Sequence, residues 1–118
     1  MSFGDAVKAC FEKYADFSGR AARPEYWWFY LFTLLVEVVL LALSLVGGAI
    51  GTIGLILLLV FALGVIVPGL AVGVRRLHDT GRAGWWLLIS LVPFGGLVLL
   101  FFLASPGTVE TNQHGAPV

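Results

Sequence analysis

The chain reads as an all-α integral membrane protein, with three transmembrane helices preceded by a short interfacial amphipathic helix. Three observations carry that reading. Of 118 residues, 59% are hydrophobic and only 12% charged, about half the charge of an ordinary soluble domain. The charges are segregated, since Tyr26 to Val74 carry only Glu37 and Ala83 to Val109 carry none. The uncharged runs also match the ~20 residues needed to cross ~30 Å of hydrocarbon. A single soluble domain of this size could not hide so much apolar surface from water.

Residues 1–25 are expected to form a cytoplasmic interfacial segment. It does not read as a signal peptide, because Asp5, Lys8, Glu12, Lys13 and Asp16 interrupt it and no apolar stretch follows directly. Phe3, Val7, Cys10, Phe11 and Tyr14 recur with helical spacing, with Asp5, Lys8 and Glu12 off that face. This predicts a short helix that either lies in the headgroup region or packs on the ends of the membrane helices. Cys10, the single cysteine, excludes an intramolecular disulfide and reads as a small buried apolar side chain.

Pro24 suits the first helical position, where its missing N–H has no intrahelical partner, and Glu25 suits the positive end of the helix dipole. Tyr26, Trp27 and Trp28 are rings suited to the membrane boundary, so the first span covers residues 26–46. Within it Tyr26, Tyr30, Thr33, Glu37 and Ser44 fall near one face. Glu37 lies about 18 Å along the helix from Glu25, in the middle third of the bilayer. It is either a proton or cation site or a carboxyl hydrogen-bonded across a helix interface.

Gly47-Gly48-Ala49 predicts a tight hairpin into a second span over residues 50–74. Pro68 removes the hydrogen bond to the carbonyl of Gly64, so a kink is expected there. Gly69 and Gly73 form a small-residue pair that would admit a second helix, in a homo-oligomer or within one protomer. Residues 75–84 read as a cytoplasmic Arg-rich loop. The third span covers residues 85–104 and is interrupted at 93–96 by a kink or a re-entrant turn; its length favours a kinked but complete crossing. The tail, residues 105–118, has little to bury and is expected to be irregular.

Orientation follows from the cations. Lys8, Lys13, Arg20 and Arg23 precede the first span, and Arg75, Arg76 and Arg82 lie between the second and third. The positive-inside rule places the N-terminus and the arginine loop in the cytoplasm and, with three crossings, the C-terminus in the periplasm.

Three stretches carry a family resemblance: Gly19-Arg20-Ala21-Ala22-Arg23-Pro24-Glu25-Tyr26-Trp27-Trp28-Phe29, Arg75-Arg76-Leu77-His78-Asp79-Thr80-Gly81-Arg82-Ala83-Gly84-Trp85-Trp86, and Pro93-Phe94-Gly95. With Asn112, Gly115 and Pro117 they resemble the YhaH-type family of small bacterial inner-membrane proteins. The resemblance covers nearly the whole chain and implies the bacterial inner membrane, but the family is a domain of unknown function and so names no activity. The chain departs from the pattern at Pro24 and Ala83, and Glu37 lies outside it.

The candidate site is the cluster Arg20, Arg23, Arg75, Arg76, His78, Asp79 and Arg82. Five guanidinium groups on one membrane face suit phosphate, which makes anionic phospholipid the expected ligand. The competing reading is that they only set topology, with Asp79 paired to Arg75 or Arg82 and Glu25 to another arginine. A second, intramembrane set is Glu37, Thr33 and Ser44. The function expected is a lipid- or partner-binding module; the alternatives are an oligomeric ion or small-solute conduit using Glu37 and an enzyme acting on lipid phosphates.

No catalytic residue is assigned. His78 and Asp79 are adjacent and point about 100° apart on a helix, so they do not make an oriented dyad, and a turn histidine bonded to backbone is the better reading. His114, the other histidine, falls across the membrane from His78 in this topology, which leaves no metal site. No cofactor motif is present, and a net charge of zero points to no nucleic-acid partner.

Overall fold

A computed structural model describes residues 2–118, all-helical apart from loops and the tail. The order is α1 (Phe3–Glu12), α2 (Arg23–Ser44), α3 (Gly48–Asp79), a 3₁₀ segment (Gly84–Leu91) and α4 (Gly95–Ala104). Ser2 caps α1, its hydroxyl accepting from the Asp5 N–H at 3.2 Å. Of the two placements open to this helix, the structure has it packed on α2. Ala6 and Cys10 are buried, Phe3 meets the edge of Trp28 at 5.7 Å, and Phe11 meets Phe29 at 5.6 Å. Cys10, Ala21, Phe29 and Val72 form the small core where α1, the linker, α2 and α3 converge.

α2 and α3 are long and apolar enough to cross a membrane, and most of their large apolar side chains are exposed. A helix buried in a soluble core shows the opposite pattern. The turn between them closes tightly because Gly47 and Gly48 adopt φ of +86° and +62°. Beyond it, a Cβ on Gly54 would sit 2.8 Å from the Ser44 nitrogen, so glycine there sets how closely the helices approach. Pro68 is inside α3, and the Gly64 carbonyl it leaves without an intrahelical donor accepts from the Tyr14 hydroxyl at 2.6 Å. The sequence predicts that orphan carbonyl; the partner comes from a residue fifty positions earlier.

Two expectations are corrected. Arg75, Arg76, His78 and Asp79 are not on a loop, because α3 continues to Asp79 and the turn is confined to Thr80–Ala83, with Gly81 at φ +80°. The third hydrophobic run is not a single crossing. Its 3₁₀ segment and α4 are each about 15 Å long, half the hydrocarbon thickness, and they pack on one another as a hairpin. Phe94, at φ +64°, turns the chain, and Gly95 follows because a Cβ there would overlap the Ile89 carbonyl. The re-entrant hairpin returns residues 105–118 to the arginine end of the bundle, where the Thr108 N–H bonds the Asp79 carbonyl at 2.8 Å. The tail therefore sits at the same end of the bundle as the N-terminal linker, not at the far end that a complete crossing would give it.

Candidate functional site: a buried arginine layer and the grooves beside it

The last turns of α3 present Arg75 and Arg76 to different neighbours because consecutive helical residues point about 100° apart. Arg75 faces the start of α2, where its Nη1 pairs with the Glu25 carboxylate, and its Nε donates to the Asp16 carbonyl at 3.1 Å. Arg76 faces the returning chain. It donates to Asp79 Oδ2 at 2.6 Å, to the Leu103 carbonyl at 2.8 Å, to the Ala21 carbonyl at 3.2 Å, and to the Ser105 carbonyl. Arg20, in the linker before α2, completes the layer. Its Nε donates to Asp79 Oδ1 at 2.8 Å, and its two Nη groups reach the carbonyls of Thr108, Glu110 and Gly115 in the tail at 2.5–3.1 Å.

All three guanidinium groups are buried, with Arg20, Arg75 and Arg76 at 4%, 1% and 0% exposure. Asp79 thus pairs with Arg20 and Arg76, not with Arg75 or Arg82 as the sequence suggests, whereas Glu25 does take an arginine. Nearly every donor points inward at a protein acceptor, so this layer joins four chain segments and offers little to an outside phosphate. Arg23 is exposed, and Arg82 stacks over the Phe102 ring at 4.0 Å. Cys10 lies under the layer, its thiol pushed up to about 12, first by burial and then by the Glu25 carboxylate, which marks it as inert packing.

The tail is irregular, as expected, yet docked. Asn112 donates to the His78 carbonyl at 2.9 Å and Gln113 to the Gly81 carbonyl at 2.8 Å, so the tail caps carbonyls at the end of α3 and its turn. Gly107 passes so close to Asp79 that a Cβ would lie 1.9 Å from Oδ2. His114 stacks on His78, ring centres 3.8 Å apart and planes 3° from parallel. The sequence reading set these histidines on opposite sides of the membrane; the hairpin is what unites them. His78 Nδ1 is 2.9 Å from the Gly19 carbonyl, the backbone-bonded role expected of it. Burial, then His78, then Arg20 hold the His114 imidazole below its ordinary pKa. Among the described residues, no three His, Cys, Asp or Glu side chains converge as metal ligands.

Sequence reasoning missed Thr108, Gln113 and His114. The signal available was a run of amide, hydroxyl and imidazole side chains near a helix end whose carbonyls needed donors.

Of the open recesses that adjoin the layer, one of about 440 Å³ lies between Arg23, Asp79 and the tail, and two others meet each other. One of these two is an apolar groove of about 410 Å³ lined chiefly by Leu70, Val74, Trp85, Leu87 and Leu88 and ending at Phe17 and His78. The other is a polar recess of about 610 Å³ bounded by Asp16, Ser18, Gly19, Gln113 and His114, and again by Phe17 and His78. Asp16 Oδ1 accepts from the Ser18 hydroxyl at 2.6 Å and its N–H at 3.0 Å, which holds the carboxyl below its usual range.

The intramembrane set lies apart from all this. Thr33 and Ser44 donate to their own helix, to Tyr30 and Leu41 carbonyls, and Glu37 makes no hydrogen bond among the described residues. The Gly69/Gly73 pair is divided, since Gly73 is covered by Leu87 and Tyr26 while Gly69 opens onto space.

Residues 14–116 match the family model described as a protein of unknown function, DUF805. The chain belongs to the DUF805 family. This DUF805 protein is 41% identical over 105 residues to the inner membrane protein YhaI of Escherichia coli strain K12, covering 88% of this chain and 86% of the relative. It is 40% identical over 107 residues to the inner membrane protein YhaH of the same strain, covering 88% of each. No solved structure matches. The DUF805 match spans the linker, the arginine layer, the hairpin and nearly all of the docked tail. The protein is therefore a small inner-membrane protein, with the family's activity unnamed.

Proposed function

We propose that this protein is a phospholipid-binding module of the inner membrane, oriented with the arginine layer, both termini and the docked tail in the cytoplasm. The cations set that orientation. The observation that supports lipid binding is the continuity of the apolar groove with the polar recess through Phe17 and His78. An acyl chain fits the first and a headgroup the second, the pairing of apolar walls with a few polar groups that defines a ligand site.

The recess favours a zwitterionic head over the anionic one expected from the count of arginines. No Lys or Arg lines it, and Asp16 supplies a carboxylate for an ammonium. The second amide hydrogen of Gln113, whose first is held by the Gly81 carbonyl, is left for a phosphate oxygen.

Native mass spectrometry of protein released gently from its own membrane tests the reading. The wild type is expected to retain an adduct of phosphatidylethanolamine mass, Leu70→Trp to lose it by filling the groove, and Asp16→Asn to shift retention toward phosphatidylglycerol. A lipid profile that mirrors the bulk membrane and is the same in all three proteins would refute it.

A further inference from the structure

The polar stripe of α2 is unexplained by the lipid site. Tyr30 is 51% exposed and Glu37 partly exposed on a helix long and apolar enough to cross the membrane. A carboxyl there without a partner is costly. The protomer supplies none: Thr33 and Ser44 are bonded to their own helix, and Glu37 is the only charged residue from Tyr26 to Val74. Beside the stripe, Tyr30, Thr33, Val65 and Gly69 border a crevice of about 100 Å³, and nothing lies within 4 Å of where a Gly69 Cβ would be. A missing side chain beside polar groups is how membrane helices admit a neighbour.

We propose that this stripe is the contact face for a second copy of the chain, closed at its centre by a hydrogen-bonded pair of Glu37 carboxyl groups. The occupant follows from chemistry and symmetry. Two copies inserted the same way are related by a two-fold axis along the membrane normal, which brings equal depths together. Glu37 then meets Glu37, and two neutral carboxyl groups, each donating its O–H to the other's carbonyl oxygen, satisfy one another without the cation that the spans lack. Thr33 and Ser44 lie within about 40° of Glu37 around the helix, whereas Leu35 lies about 160° away.

Disulfide trapping in native membranes, in a Cys10→Ala background, tests the face. Thr33→Cys and Ser44→Cys are expected to yield covalent dimer, and Leu35→Cys little. Adding Glu37→Leu to Ser44→Cys should lower the yield about tenfold, the equivalent of one interhelical hydrogen-bonded contact, while Glu37→Gln, which can still pair, should preserve it. Leucine is at home facing lipid, so membrane levels of the Glu37→Leu protein should be unchanged, separating lost contact from lost folding. Equal trapping at Leu35→Cys, no dimer at either stripe position, or a yield indifferent to Glu37→Leu would each overturn the proposal.

Discussion

At the scale of single residues, Asp79 is where the chain is most committed. Its carboxylate accepts from Arg20 and from Arg76, its carbonyl accepts from Thr108, and Gly107 must lack a side chain to pass it. Removing one member of a buried ionic set strands the others, at a cost of about 3–5 kcal/mol. Asp79→Asn should therefore lower stability by that order in a detergent unfolding titration, whereas Arg23→Gln, at an exposed position, should change it little. That the arginines and Asp79 form one cluster was legible in their spacing. Which arginine meets which acid was not, because helical spacing offers Asp79 several partners. The choice fell to Arg20, a residue 59 positions away.

At the scale of elements, the hairpin of the 3₁₀ segment and α4 decides the topology. The break at residues 93–96 is visible in the sequence, but a kink and a reversal place the same residues in the same order, and only packing of the two halves on one another separates them. A cysteine at Ala116→Cys, in a Cys10→Ala background, is expected to react with a membrane-impermeant thiol reagent only when the cytoplasmic side is opened, as one at Ser2→Cys should. Gly95→Val, which drives a side chain into the Ile89 carbonyl, should disturb that turn and make Ala116→Cys labelling heterogeneous. Labelling of the Ala116→Cys protein from the outside of sealed cells would contradict the hairpin.

At the scale of the molecule, the cytoplasmic end is a small polar assembly in which the linker, the end of α3, the hairpin and the tail hold one another. Its docking should respond to acid through His114, which faces His78 and Arg20. The imidazole is held below its ordinary pKa in the docked state, so the released tail binds more protons. Docking is then at full strength above about pH 6.5 and weakens as pH falls below it, through the depressed value. Divided by the intrinsic rate, hydrogen exchange over residues 105–118 should rise between pH 7.5 and pH 5, and His114→Gln, which cannot titrate, should largely remove the step. An exchange rate that follows only the intrinsic pH dependence would show that the stack carries no such linkage.

The sequence by itself determined that the chain inserts in a membrane, where α2 begins and ends and where α3 begins to within a few residues, that Pro68 frees the Gly64 carbonyl, and which charged residues gather at one end. Those are consequences of local composition and of helical geometry, which depend on neighbours a few positions away. Only the tertiary structure decided that the third run turns back, that the tail docks, that His78 and His114 stack, and that Arg20, Arg75 and Arg76 are buried. All but the burial of Arg75, whose partners Glu25 and Asp16 precede the second span, depend on one reversal at Phe94 and Gly95, and a reversal changes which distant residues meet without altering the pattern of the residues themselves.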